Sequence, residues 1–246
     1  MDRLVYTSMS GANAADQRQA VLANNLANAS TSGFRAQLST FRAVPLEGEG
    51  ASTRVFTIEA TSGYVDTPGQ LQRTERSMDA MAQNKAWFTV QGLDGTEAHT
   101  RNGSFEVAPD GTLRTGNGLT VLSDGGAPLT VPAGAQVSIG FDGTVTAKVP
   151  GQPGNAIGRL KMVTPNADDP LKRGGDGLFR SYSGDPLPSD PAARLQTGVL
   201  EGSNVNVIET MVGMIQTARQ YETHMRLLQS AESNDRSAAQ LLNLQG

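Results

Sequence analysis

The chain has 246 residues, a net charge of -4, 5% aromatic residues and no cysteine. That length buries a real core in one or two domains. Without cysteine there are no disulfides and no thiolate metal sites, and without a basic run there is no footprint for nucleic acid. A hydrophobic fraction of 37% beside 28 glycines describes a surface-rich, turn-rich protein.

Taken in order, Asp2 to about Ala29 reads as a helix, because Val5, Met9, Ala12, Ala15, Leu22, Leu26 and Ala29 recur at helical spacing. Gly11 costs this helix about 1 kcal/mol against alanine, so its place beside Ala12 points to a close helix approach. Met1 to Ala15 holds one arginine and no continuous apolar run, so neither a cleaved export signal nor a membrane span is expected. Ser30, Thr31, Ser32 and Gly33 supply the stop.

From Phe34 to about Met81 the pattern is irregular. Gly48-Glu49-Gly50 marks a loop, Thr53 to Ala60 alternates loosely, and Thr67-Pro68-Gly69 is a turn, which reads as an extended linker with one or two short strands. Beyond it the turn pairs Asp94-Gly95, Asn102-Gly103, Asp110-Gly111, Asn117-Gly118, Asp124-Gly125 and Asp142-Gly143 punctuate short β-forming pieces at 87–90, 104–107, 119–122, 129–131, 136–139 and 143–147. Gly158 to Val163 and Gly177 to Tyr182 add two more, giving a hairpin-rich all-β domain.

Pro186, Pro188 and Pro191 mark a loop, and Asn206 followed by Glu209 has the spacing that opens a helix. The last helix is expected to run to about Ser233, with a short helical stretch around Ala238 to Leu242. Along it Val207, Met211, Met214, Ala218, Tyr221, Met225 and Leu228 follow in steps of four and three, the spacing of a coiled-coil seam. A lone helix with one narrow seam is marginal in water, so the two ends need partners, each other or further copies. Met211, Met214 and Met225 read as adaptable filler in that seam.

No catalytic constellation emerges. His99 and His224 are too few for a metal site and read as surface residues. Each Asp-Gly stands alone between apolar runs, unlike a calcium loop. Asp168-Asp169 and Asp185 with Asp190 sit among prolines and glycines with one tryptophan in the chain, poor ground for paired sugar-cleaving acids. Gly48-x-Gly50 lacks the third glycine of a dinucleotide fingerprint, and no phosphate-binding loop occurs. No cofactor, metal, nucleic acid or small-molecule substrate is expected, and no membrane insertion.

Two segments carry a family resemblance. Asn24-Asn25-Leu26-Ala27-Asn28-Ala29-Ser30-Thr31-Ser32-Gly33-Phe34-Arg35 resembles the N-terminal signature of flagellar rod and hook axial proteins, and Leu200-Glu201-Gly202-Ser203-Asn204-Val205-Asn206 is similar to the segment that opens their last helix. The opening Met1-Asp2-Arg3-Leu4-Val5-Tyr6 resembles the proximal-rod branch, with the distal-rod and hook branches as the near alternatives. The resemblance implies an α+β chain: residues 1–33 and 204–246 as helices of a coiled-coil D0 domain, 34–85 and 183–203 as linkers, and 86–182 as a β-rich D1 domain. It implies a structural rod subunit, exported by the flagellar type III apparatus without signal cleavage, that polymerises with its own copies and other rod proteins in the periplasm. By position, Asn24, Asn25, Asn28, Thr31, Gly33 and Phe34 shape the exit of the first helix, and Ser203, Asn204 and Asn206 the start of the last. On the residues alone, a secreted β-domain binding module with helical oligomerisation ends stays open.

Overall fold

The computed structural model describes residues 2–45 and 55–243. The loop expected at Gly48 to Gly50 lies outside them. The fold is α+β, with a helix at each end and a β-rich region between them: α1 (Asp2–Ala27) and α2 (Val207–Asn243) enclose sixteen short strands among the described residues. The chain forms two compact units, one of residues 1–29, 36–65 and 205–246, the other of 30–35 and 66–204.

In the first unit α1 packs against α2 and against a ribbon of β1 (Gln37–Pro45) and β2 (Val55–Tyr64). This antiparallel ribbon, with one register shift between Thr40 and Phe41, stands where the sequence read as an extended linker with one or two short strands; the strands are longer than expected. Asn206 caps α2 as its spacing suggested: its Oδ1 accepts the backbone N–H groups of Ile208 and Glu209 at 3.2 and 3.3 Å. The helix then runs unbroken to Asn243, where two pieces were expected. No glycine or proline interrupts residues 214–243, and Glu222–Arg226 and Glu232–Arg236 pair at four-residue spacing along it.

The second unit carries β3 (Leu71–Arg73), β4 (Ala80–Ala82), β5 (Trp87–Gln91), β6 (Glu97–Thr100), β7 (Phe105–Val107), β8 (Leu113–Thr115), β9 (Gln136–Ile139), β10 (Thr144–Lys148), β11 (Asn155–Arg159), β12 (Met162–Val163), β13 (Leu171–Arg173), β14 (Phe179–Ser181), β15 (Leu195–Thr197) and β16 (Val199–Glu201). Its main sheet has the order β12-β5-β6-β14-β13, beside a three-stranded β11-β10-β9 sheet and the pairs β7-β8, β15-β4 and β16-β3. Leu195 to Glu201, read as linker, is therefore two strands hinged at Gly198, whose φ is +72°. Three-residue strands are too short to show alternation.

Four hairpins share one turn. At Gly92–Thr96, Ala108–Thr112, Gly140–Thr144 and Gly174–Leu178 the first residue's N–H bonds the fifth residue's carbonyl at 2.7–2.9 Å, and the fourth residue is a glycine with φ between +79° and +87°. A left-handed residue at that place is what a five-residue hairpin turn requires. The aspartate before each glycine accepts the N–H two residues on, at 3.0–3.1 Å. Hydrogen bonds from Thr96, Thr112 and Thr144 hold Asp94, Asp110 and Asp142 below their usual pKa, and chiefly one from Arg180 does so for Asp176. Asn102-Gly103 is no hairpin: it links two sheets, and a Cβ on Gly103 would overlap the Ala80 carbonyl. The pieces at 119–122 and 129–131 form isolated bridges rather than strands.

One face of β5 sends Phe88 and Val90 into a core with Phe105, Leu113, Val121, Val145, Leu160 and Leu195, where Phe88 and Phe105 meet edge to face at 5.2 Å. The other face is buried too, but polar: Trp87, Thr89 and His99 lie there, with Phe179 against Trp87 at 4.6 Å. His99, read as a surface residue, is 1% exposed and its Nδ1 is 3.2 Å from Thr89 Oγ1. Burial, then the charges of Lys161 and Arg180, lower its pKa to about 4.

Candidate assembly site

Within the first unit the two helices run antiparallel. Gly11 faces His224, and Gly213 faces Leu22. A Cβ on Gly11 would overlap the imidazole ring, so this glycine serves close approach. The buried line of α1 is Ser8, Ala12 and Ala15, extended by half-buried Val5, Gln19, Leu22 and Leu26, again in steps of three and four. Met9, counted in the sequence stripe, is exposed.

On α2 the buried line is Thr210, Thr217 and Ala231, with half-buried Gly213, Met214, His224, Met225 and Leu228 beside it. Thr217 is 1% exposed and bonds back to the Gly213 carbonyl at 2.8 Å. The sequence stripe is rotated away from this line. Of its members Met214, Met225 and Leu228 are half-buried, while Val207, Met211, Ala218 and Tyr221 are exposed. Ile208 (76%), Val212 and Ile215 stand exposed near Met211. The pair thus hides small and hydroxyl side chains and displays its large apolar ones. From Thr210 to Ala218 the sequence has no charge.

The motif residues divide between the units. In the first, Asn25 forms a two-way amide bridge with Gln37, accepting its N–H at 2.7 Å and donating to its carbonyl at 2.9 Å, which fixes where β1 starts. Asn28 donates from its side chain to the Asn24 carbonyl at 2.9 Å, satisfying a carbonyl of the last turn. In the second, Thr31 accepts the N–H of Phe34 at 3.3 Å, and Gly33 (φ +71°) donates to the Glu201 carbonyl at 2.7 Å. A Cβ on Gly33 would overlap the backbone of Arg101 and Asn102. Phe34 lies under the Arg173 guanidinium, 4.6 Å from its ring centre. Asn204 donates its side-chain amide to the Thr67 carbonyl at 2.9 Å, and its N–H to the Phe34 carbonyl at 3.3 Å. Ser203 is half-buried between Gly202 and Asn204.

Three residues outside the sequence-derived site hold this region together. Glu201 is 1% exposed and bridges Arg35 and Arg101, each at 2.7 Å. Its Oε1 also accepts the N–H of Gly69 at 3.1 Å. Two cations against one anion leave a surplus positive charge. Carbonyl oxygens of Thr67, Asn84 and Ala86 accept from the guanidiniums, and both of these lie near the Trp87 ring, at 5.9 and 5.7 Å from its centre. Arg35 and Glu201 each stand inside a family motif, as lone charges of opposite sign beside apolar neighbours, which is the one sequence signal for the pair.

Among the described residues no group of three His, Asp or Glu side chains could hold a metal ion, and no helix is long and apolar enough to cross a membrane. A β unit closed on a buried carboxylate, and helices that turn large apolar side chains outward, are features of a structural subunit. The family models agree. Residues 5–35 match flagella basal body rod protein, 81–147 the D1 domain of flagellar hook protein FlgE/F/G, and 196–241 the C-terminal region of flagellar basal body rod FlgEFG protein. The chain is 44% identical to the flagellar basal-body rod protein FlgF of Salmonella typhimurium, over 99% of this chain and 100% of that one, and equally so to FlgF of Escherichia coli. It is 30% identical to FlgG of Bacillus subtilis, over 99% of both chains. The chain belongs to the flagellar basal-body rod protein family. It is a structural rod subunit of the bacterial flagellum, assembled with other rod proteins in the basal body.

Proposed function

We propose that this subunit builds the proximal part of the rod, polymerising through α1 and α2 into the periplasmic shaft that carries motor torque toward the hook. In this reading the helices form a coiled-coil D0 domain and the β unit is D1. The chain leaves the cytoplasm through the flagellar type III apparatus without losing a signal peptide, and it has no catalytic role. The observation that carries the proposal is the uncharged outer face of α2, where Ile208, Met211, Val212 and Ile215 are exposed although the helix already packs on α1. Exposed apolar side chains in one contiguous strip mark a surface meant to be covered. The 44% identity to the FlgF proteins of Salmonella typhimurium and Escherichia coli, against 30% to FlgG of Bacillus subtilis, favours the proximal branch.

The test is the double variant Ile208→Asp/Ile215→Asp in a motile host lacking the native gene. The expected result is a folded, exported subunit that fails to enter purified basal bodies, with no swimming in soft agar. Normal rods and swimming would overturn the proposal.

A further inference from the structure

Between α1 and α2 lies a cavity of about 240 Å³, lined by buried Ala15 and Thr217 and by exposed Ala218 and Tyr221. A space of about 150 Å³ already holds a benzene ring, so this one takes a branched aliphatic side chain. Asp16, also in the lining, is exposed. The Oε1 atom of Gln19, again in the lining, is buried and accepts no hydrogen bond among the described residues. An apolar hole beside an unpaired acceptor and a carboxylate suits an occupant that brings a hydrocarbon knob and a cationic donor together.

The outer face of α2 carries such a pair. Ile215 is 56% exposed, and Arg219, four residues on and therefore on the same face, is exposed too. Neither residue lines the cavity of its own chain. Side chains lean toward the N-terminus of a helix, so Ile215 leans away from a cavity that lies beside Thr217 to Tyr221. Filling the cavity with this knob takes another molecule.

We propose that Ile215 and Arg219 of one copy occupy the α1–α2 cavity of a second copy, the isoleucine against Ala15 and Ala218 and the guanidinium on Asp16 and Gln19 Oε1. The proposal rests on the reading of α2 as the polymerising surface, and it adds the seat into which that surface docks. The strip continues into the seat, because Met211, Ile215, Ala218 and Tyr221, all exposed, follow in steps of four and three. Knob and seat are different patches of one subunit, so the contact runs head to tail. Each copy that offers its knob keeps its own seat open for the next, which builds an open row instead of a closed pair.

The chain has no cysteine, so a pair introduced into it is unambiguous. The full chain with Asp16→Cys/Ile215→Cys is expressed in a motile host lacking the native gene, and purified basal bodies are oxidised and run on a non-reducing gel. The expected result is a disulfide ladder of this chain that extends beyond the dimer, which neither single-cysteine variant gives. Monomer alone, a ladder that stops at the dimer, or an adduct to a different rod protein would overturn the proposal. Ala218→Phe fills the cavity from an exposed position, and Asp16→Arg sets a like charge before the incoming Arg219. Each is expected to leave helix amide protection of the free subunit unchanged and to lower incorporation into basal bodies about tenfold or more. These two variants decide the matter if the double-cysteine chain does not assemble, and normal incorporation of both would overturn the proposal. If they assemble normally while Ile208→Asp/Ile215→Asp does not, the seat is wrong and the polymerising strip stands. If all three assemble normally, both readings fall.

Discussion

The two units of this chain solve burial in opposite ways. The β unit places Phe88, Phe105, Leu113, Val145 and Leu195 fully inside, and closes even its polar face with Glu201, Arg101 and Trp87. The helix unit buries Ser8, Ala12, Ala15, Thr210 and Thr217 and leaves Ile208, Met211, Val212 and Ile215 outside. The β unit thus has a closed apolar core. The helix unit is a half-finished core, stable in the sense of secondary structure and unsatisfied in the sense of packing.

Substitutions read that contrast as a graded series. Phe105→Ala, which opens a cavity against Phe88, is expected to destabilise the β unit by about 3–5 kcal/mol in denaturant unfolding followed by Trp87 fluorescence. Next comes pH. Unfolded His99 takes up a proton below its ordinary value near 6.5, whereas the folded residue stays neutral until about 4. The unfolded state therefore binds more protons between these limits, so stability is full above pH 6.5 and falls by about 3 kcal/mol as pH drops to 4. His99→Gln should flatten that window in urea titrations at stepped pH. The depressed aspartates act in a separate window: their stabilisation is present above the ordinary 3.8 and is lost as pH falls further.

Asn206→Ala removes the cap of α2 and should lower helix stability by about 1 kcal/mol, seen as faster exchange of the Ile208 and Glu209 amides. The smallest effect sharpens the comparison most. Ile215→Asp, on the open face, should change the stability of the isolated subunit by no more than about 0.5 kcal/mol, yet abolish incorporation into rods. A large loss of monomer stability would mean that the face is already covered within the chain.

What was legible in the sequence follows the range of the interactions. Asp142-Gly143 and its counterparts were readable because a turn is settled by five adjacent residues, and Asn206 because a cap reaches only to Glu209. The Arg101–Glu201 pair was not, since a hundred residues separate two charges that no local pattern joins. The face of α2 that α1 covers was not legible for a different reason. Hydrophobic periodicity marks the face that needs covering, and here that face, Met211 to Tyr221, is not the one α1 covers through Thr210 and Thr217. The three-residue strands at Leu195 and Val199 carry too little pattern to be seen at all.

Hydrogen exchange of the dilute, unassembled subunit, compared with the same chain in purified rods, tests the central contrast most directly. The account predicts that amides of Val90, Leu113 and Val145 are strongly protected in both, while those of residues 208–228 exchange far faster in the free subunit and become protected on assembly. Helix amides as protected as the β core at high dilution, with no gain in the rod, would contradict it.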